Sequence, residues 1–305
     1  LGLTGLNIRL SMKKLIFIFF ALFISVIQTN AGEREVNFAR TVCPYPTNIK
    51  PAELEIKGKI SKLTQKRLWA KMAFGEVTKG NTVEEEIFEY QNGVLTRYYV
   101  NSEITGNFEW ILKYTADKKI SEAFVKSRNS EGTTSSLFIY SYSNGKLASV
   151  DERSIPEGYD PNSSLSLTPG QRISLSKLTY SGNQTHIKKY RGDGRLIYEF
   201  VYNSDHLVKY VEYLLFSDKI FCITDYNYNK LGKLIEKTDT YSDEIRKHYY
   251  KYNEKGWVNI WSDNRGWKTG FSYVIDKRAN WIQKIQSSDS PNSSFYLFER
   301  EITYE

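Results

Sequence analysis

Apolar and polar positions alternate along most of this chain. In "IYEFVY" (197–202), Tyr198, Phe200 and Tyr202 fall on one side and Glu199 on the other. In "KHYYKY" (247–252), His248, Tyr250 and Tyr252 share a face, while Lys247 and Lys251 take the opposite one. A period of two is the signature of a β-strand, whose successive side chains point to opposite faces. Tyrosine, phenylalanine, isoleucine and threonine fill these runs, and such residues pack well on a half-buried pleated surface.

Short glycine words separate the runs. They read "YQNGVL" (90–95), "YSNGKL" (142–147), "YRGDGRL" (190–196), "YNKLGKL" (228–234) and "YNEKGWV" (252–258). "YNSDHL" (202–207) carries Asp205, and "IDKRANW" (275–281) carries Ala279, where the others have glycine. The common form is an aromatic, a few polar turn residues, glycine, any residue, then an apolar one. Asn or Asp with glycine between apolar runs is a hairpin signal, because the turn needs a positive φ. Gly232, Gly256 and Ala279 are 24 and 23 residues apart. Self-similarity at such a spacing marks a repeat architecture, here two strands and two turns per period. No proline occurs between Pro169 and Pro291, as expected of paired strands. Pro156, Pro161 and Pro169 mark a loop or linker at 156–169. "LTQKRLWAKMAF" (63–74) fits a helical spacing, but its strand-like flanks favour a strand.

The expected fold is all-β: an antiparallel hairpin-repeat meander of about 12–16 strands, forming a curled elongated sheet or a partly closed barrel. The expected organisation is a tail at 32–52, hairpins at 53–155, the linker, and regular hairpin repeats over 170–305.

The beginning of the chain sets the compartment. Met12 is followed by Lys13 and Lys14, an apolar run from Leu15 to Ile27 broken only by Ser25, and small residues at Thr29 and Ala31. This pattern reads as a cleaved signal peptide behind an upstream extension, together residues 1–31. The run is too short for a membrane-spanning helix. Export to the periplasm or the extracellular space is expected, with no stable membrane span after cleavage. Removing Arg9, Lys13 and Lys14 lowers the net charge from +7 to +4. That mild excess is not a nucleic-acid footprint, but it suits an acidic glycan or envelope surface. Cys43 and Cys222 permit one disulfide in an exported chain; two buried thiols fit the sequence equally well.

The words resemble the YD repeats of the RHS-like family of secreted bacterial proteins. "YNYNKLGKL" (226–234) and "YKYNEKGWV" (250–258) match best, and "YVIDKRANWIQKI" (273–285) keeps Asp276, Asn280 and Trp281. The closing "EREITYE" (299–305) is also similar to the C-terminal strand of small secreted members. The likeness covers about residues 85–305, and most copies carry asparagine or serine where the family has aspartate. It implies hairpin architecture, with carbohydrate or surface binding.

Trp257, Trp261, Trp267 and Trp281 cluster in the last third. They are the candidate ligand-binding residues, as an aromatic platform for sugar rings; cross-strand packing is the plainer account. His186, His206 and His248 have no metal-ligand spacing, and no cofactor fingerprint is present. Arg191-Gly192-Asp193 spells an adhesive tripeptide, but turn chemistry alone accounts for it. Glu84, Glu85 and Glu86, or Asp225 and Asp239, would serve glycoside hydrolysis only as a cleft pair. The expected function is an exported, non-enzymatic binding or surface-interaction protein for a glycan or envelope component. The rivals are a glycan-directed hydrolase and a structural assembly protein joined through sheet edges.

Overall fold

The computed structural model describes residues 44–305 except 48, 51–53, 74–75, 104–105, 130–131, 157–169, 215 and 289–294. The expected leader and nearly all of the expected linker lie outside the described residues. The strands are β1 (Ile60–Ala73), β2 (Glu76–Gln91), β3 (Val94–Ser102), β4 (Gly106–Tyr114), β5 (Ile120–Asn129) and β6 (Gly132–Ser143). Next come β7 (Lys146–Ser154), β8 (Arg172–Ser181), β9 (Gln184–Arg191), β10 (Leu196–Asn203), β11 (His206–Tyr213) and β12 (Ile220–Tyr228). The last six are β13 (Leu234–Thr240), β14 (Ile245–Tyr252), β15 (Val258–Asp263), β16 (Lys268–Ile275), β17 (Trp281–Ser288) and β18 (Phe295–Tyr304).

Every strand pairs antiparallel with the one before and the one after it, and β18 pairs with β1. The 18-stranded sheet therefore closes into a barrel and has no edge. The expected all-β antiparallel hairpin meander is borne out; its strands number 18 rather than 12–16, and the ring is closed. Of the ambiguous stretch at 63–74, residues 63–73 belong to β1, whose residues 60–70 pair along β18, and Phe74 lies outside the described residues. β7 pairs directly with β8, so the hairpins on either side of the expected linker share one sheet.

Hairpins that lead from an even-numbered strand into the next odd one all turn at one end, here called the tyrosine rim. Four of them are two-residue turns, among them Asn92-Gly93 at φ 52° and 76° and Asn144-Gly145 at 51° and 75°. Positive φ at both positions is what such hairpins require. Longer turns use an Asx side chain. Asn229 Oδ1 accepts from the backbone N–H of Leu231 (2.9 Å) and Lys233 (3.0 Å). Asn253 does the same for Lys255 and Trp257, and Asp276 for Arg278 and Asn280. The polar residue of the word thus holds the turn that the glycine makes affordable in φ.

The aromatic of the word has its own task. Register shifts fall at Tyr90, Tyr114, Tyr142, Tyr202, Tyr228 and Tyr252, so these hairpins carry a bulge beside their tyrosine, while β8–β9 pairs without one. Bulges raise local twist and help a sheet curve. The hydroxyls then reach the preceding hairpin. Tyr114 donates to Leu95 O (2.6 Å), Tyr142 to Ile120 O (2.9 Å) and Tyr180 to Leu147 O (2.7 Å). Tyr228 donates to Leu207 O (2.9 Å), Tyr252 to Leu234 O (2.7 Å) and Tyr273 to Val258 O (2.6 Å). Each acceptor belongs to the apolar residue at the far side of the previous turn, the other fixed letter of the repeat. The hairpins of this rim are stitched to one another.

The inward face holds two apolar clusters, one from β1–β7 and one from β9–β16. Tail residues Ile49, Leu54 and Ile56 belong to the first, and Tyr45 packs against both. Outward positions carry cross-strand ion pairs: Lys66–Glu85 (3.2 Å), Arg97–Glu109 (2.7 Å), Lys113–Glu122 (3.4 Å) and Lys188–Glu199 (3.1 Å).

Two outcomes follow for stability. Tyr252→Phe removes one stitch and is expected to lower unfolding free energy by about 1 kcal/mol, measured by urea titration. Ala279 sits at φ 59° where the other turns have glycine. Ala279→Gly relieves a left-handed alanine and is expected to raise stability by roughly 0.5–1 kcal/mol, net of glycine's larger unfolded entropy.

Candidate functional site: the plugged lumen and the opposite rim

The N-terminal tail enters the tyrosine-rim half of the barrel and is held from several sides. Lys189 Nζ on β9 donates to Pro44 O (3.2 Å), and Tyr140 on β6 donates to Pro46 O. Tyr90 on β2 donates to Ile49 O (2.8 Å). Asn280, beside β17, accepts from Lys57 N (2.6 Å) and donates to Lys57 O (3.2 Å), while Trp281 Nε1 donates to Glu55 Oε2 (3.1 Å). Most of these bonds grip the tail's main chain. Tyr90 is the first tyrosine of the ladder, with no earlier glycine hairpin behind it, and the tail supplies the missing carbonyl.

Beyond the tail the inward face turns polar. Arg300 Nε donates to Gln65 Oε1 (2.9 Å), Gln65 Nε2 to Glu86 Oε2 (2.8 Å) and Tyr98 to Glu86 Oε1 (2.6 Å). The Arg300 guanidinium lies 3.3 Å from the centre of the Trp281 ring. A second network centres on Asp239, which is 2% exposed. Its Oδ1 accepts from Thr224 Oγ1 (2.7 Å), and its Oδ2 meets Lys237 Nζ (2.8 Å) and His248 Nε2 (3.3 Å). Trp261 stacks on His248 with ring centres 5.7 Å apart. Burial works against the Asp239 charge, yet His248, Lys237 and Thr224 together hold its carboxyl far below the usual carboxylate range. A third site joins Glu152 to Ser174 Oγ (2.6 Å) and Lys189 Nζ (3.5 Å). These bonds pair many of the buried polar atoms of the lumen with one another.

The structure disperses the four tryptophans. Trp257 and Trp281 are buried with Phe298, and Trp261 is buried in the β9–β16 cluster. Trp267 alone of the four is exposed, at 60%, in the β15–β16 turn. The four therefore form no common open face: the turn ending at Asn280 sends Trp281 inward against the tail. Cys43 lies outside the described residues. Cys222 is a buried free thiol, 3.9 Å from Thr224 Oγ1, and burial pushes its pKa up. His186, His206 and His248 keep separate partners: Gln184, Tyr228 and Asp239. Among the described residues no cluster has the make-up of a metal site. The Asp193 carboxylate is turned back onto Arg191 (3.5 Å), Arg195 (3.9 Å) and the Arg195 N–H. Glu84 faces Arg67, Glu85 faces Lys66 and Glu86 faces Gln65 and Tyr98, while Asp225 points outward and Asp239 inward.

Both rims expose large apolar residues; at the tyrosine rim these include Leu231 in the β12–β13 turn. At the opposite rim, Leu214, Phe216, Ile220 and Phe221 of the β11–β12 hairpin, Ile245 of the next and Trp267 of the one after are all exposed. Sequence reasoning passed over these residues, because alternation assigns faces along strands and is silent about turn tips.

No family model and no curated protein matches the chain. Among solved structures, it is similar to a porin-like protein from Bacteroides uniformis, at 8% identity over 80% of this chain and 96% of that one, TM-score 0.40. A porin-like protein from Bacteroides vulgatus is similar at 12% identity over 82% and 99%, TM-score 0.35. The TcdB2-TccC3-Cdc42 structure is similar at 11% identity over 77% of this chain and 14% of that one, TM-score 0.27. The chain itself is a closed, internally plugged β-barrel.

The Asp239 network generates a pH dependence. A carboxyl with a depressed folded-state pKa adds stability above its unfolded value, and that stability is lost as pH falls through the folded value. The urea midpoint is expected to drop progressively below about pH 4. Asp239→Asn is expected to flatten part of that drop. At neutral pH it leaves Lys237 buried without its carboxylate, at a cost of roughly 3 kcal/mol. A wild-type acid limb retained in full by the variant would refute the assignment.

Proposed function

We propose that this chain is an exported, non-enzymatic binding protein that meets an envelope component, a carbohydrate among the candidates, through the outside of a filled barrel. One observation carries the reading: the tail lies across the lumen, held by β2, β6, β9 and residues at the start of β17. A barrel crossed by its own chain is blocked along that path, and many of its inner polar groups pair with one another. What it offers a partner lies on its outer surface and its free rim. The outer belt of ion-paired lysine, arginine and glutamate also speaks for an aqueous surround. On a lipid-facing wall each arginine or lysine near the midplane would cost about 2–4 kcal/mol. The leader pattern of residues 12–31 supports export. Of the four candidate tryptophans, Trp267 is the exposed one, and this reading assigns it the ligand contact.

The test is a pull-down. Mature chain is immobilised and exposed to solubilised envelope and a glycan panel at low and high salt. Retention of the same species at both salts is expected, with Trp267→Ala weakening it about tenfold, or about 1.4 kcal/mol. Trp281→Phe is expected to leave retention unchanged while lowering stability. Retention at low salt alone, or none at either, overturns the reading.

A further inference from the structure

We infer that the barrel has a built-in opening seam between β17 and β18, and that the N-terminal tail is the strap that locks it. The two strands are eight and ten residues long, yet the register between them holds three pairs, from Gln283–Glu299 to Ile285–Leu297. On its other side β18 pairs ten times with β1, and β17 pairs seven times with β16. β15–β16 also has three pairs, but β15 is six residues long, and a turn closed by Asp263 N–H to Trp267 O (3.0 Å) joins it directly to β16. The β17–β18 ladder is short for its strands, and β18 is held by β1 more than by β17.

Side chains bridge what the ladder leaves. On the lumen face, the Arg300 guanidinium of β18 lies 3.3 Å from the centre of the Trp281 ring of β17. Lys284 Nζ of β17 lies 4.1 Å from the centre of the Phe298 ring of β18. On the other face, Gln283 Nε2 donates to Glu299 Oε1 (2.9 Å), which also meets Lys79 Nζ (2.6 Å). A seam held by a few side chains opens locally at a lower free energy than one held by a long ladder.

The lock sits at the tyrosine rim. Tyr304, near the end of β18, donates to Asp276 Oδ2 (2.8 Å) and accepts from Asn280 Nδ2 (2.6 Å). The Arg278 guanidinium lies 3.7 Å from the centre of its ring. Those three partners belong to the β16–β17 turn, so the turn before β17 is tied to the end of β18 past the short ladder. The same Asn280 Nδ2 also donates to Lys57 O (3.2 Å), and Asn280 Oδ1 accepts from Lys57 N (2.6 Å). One fully buried side chain therefore serves the tail's seat and the seam's closure together. Glu305 N adds a bond to Lys59 O (3.2 Å). Parting β17 from β18 must break the Tyr304 bonds, and it disturbs the side chain that grips Lys57. While the tail is seated, the seam stays shut; once it opens, the ring has a lateral path to the lumen and two strand edges.

The experiment is hydrogen exchange of the mature chain, read amide by amide by NMR under native conditions. Amides of residues 283–285 and 297–299 bonded across the seam, and the Lys57 amide, are expected to exchange faster than those of β5, which has eight pairs on each side. Tyr304→Phe keeps the ring and removes the hydroxyl's bonds. It should speed Lys57 and seam exchange at least about fivefold and leave β5 unchanged. Gln283→Cys with Glu299→Cys places two thiols directly opposite each other, within reach of a disulfide. That staple, its formation confirmed by mass, should slow exchange at Lys57, although neither residue touches the tail. Seam amides as slow as those of β5 overturn the inference. So does a staple that leaves Lys57 exchange unchanged, or a Tyr304→Phe effect that is equal at β5 and Lys57.

Discussion

The barrel depends on one recurring bond, a tyrosine hydroxyl donated to the main-chain carbonyl of the neighbouring hairpin. A hairpin alone is marginal in water. Pairing at its flanks still leaves the turn and the bulge with unsatisfied carbonyls at the rim. Tyr114, Tyr142, Tyr180, Tyr228, Tyr252 and Tyr273 each satisfy one of these from the next repeat. The ring supplies apolar area below the rim, and the hydroxyl reaches across it. No other side chain combines a flat apolar body with a donor at its tip at this length. A phenylalanine would keep the packing and lose the bond. The repeat's aromatic letter is thus tied to its apolar letter by a hydrogen bond, beyond shared hydrophobicity.

The same rule explains the tail. A ladder in which every tyrosine reaches backward must run out of acceptors at its first member. Tyr90 stands there, and Ile49 O fills the place. Once the tail is drawn in, its apolar side chains complete the cluster on one side of the lumen, and Tyr45 bridges to the other. Filling the lumen and closing the ring are therefore linked. β1 follows the tail directly and is the strand that β18 must find. Asn280 and Trp281 hold Lys57 and Glu55 just before β1 begins, beside the place where β18 ends. The contacts that seat the tail also aim the closing strand.

Much of this was legible in the sequence and some of it was not, for physical reasons. Asn229, Asn253 and Asp276 announced their turns, because an Asx side chain followed by a residue at positive φ has few other uses. Strand alternation at Tyr198–Tyr202 and His248–Tyr252 was equally plain. Closure was not, since β1–β18 pairing joins residues more than two hundred positions apart and no local pattern encodes it. The strand count fell short because hairpins such as β3–β4 turn without the glycine word. The tryptophans misled for another reason. Aromatics occupy both faces of this sheet, as adjacent Tyr249 and Tyr250 show, so aromaticity does not tell inside from outside. The expected tail carried no signal of its own, because its hold on the barrel runs through the carbonyls of Pro44, Pro46 and Ile49, which every residue has.

The two rims are consequently unequal, and the inequality follows from the repeat itself. At one rim most repeats contribute a tyrosine, an Asx and a glycine, and these residues hold the turns and stitch neighbours. The opposite turns lie between the words, so the repeat places no such demand on them and their residues are open to other uses. Phe216, Ile245 and Trp267 occupy that freedom with side chains that cost solubility and contribute little to the core they project from. Cross-contacts through Phe221, Tyr241 and Asn264 nonetheless hold these tips in a row. These three neighbouring hairpins, which the repeat does not need for stitching, are held together by contacts of their own.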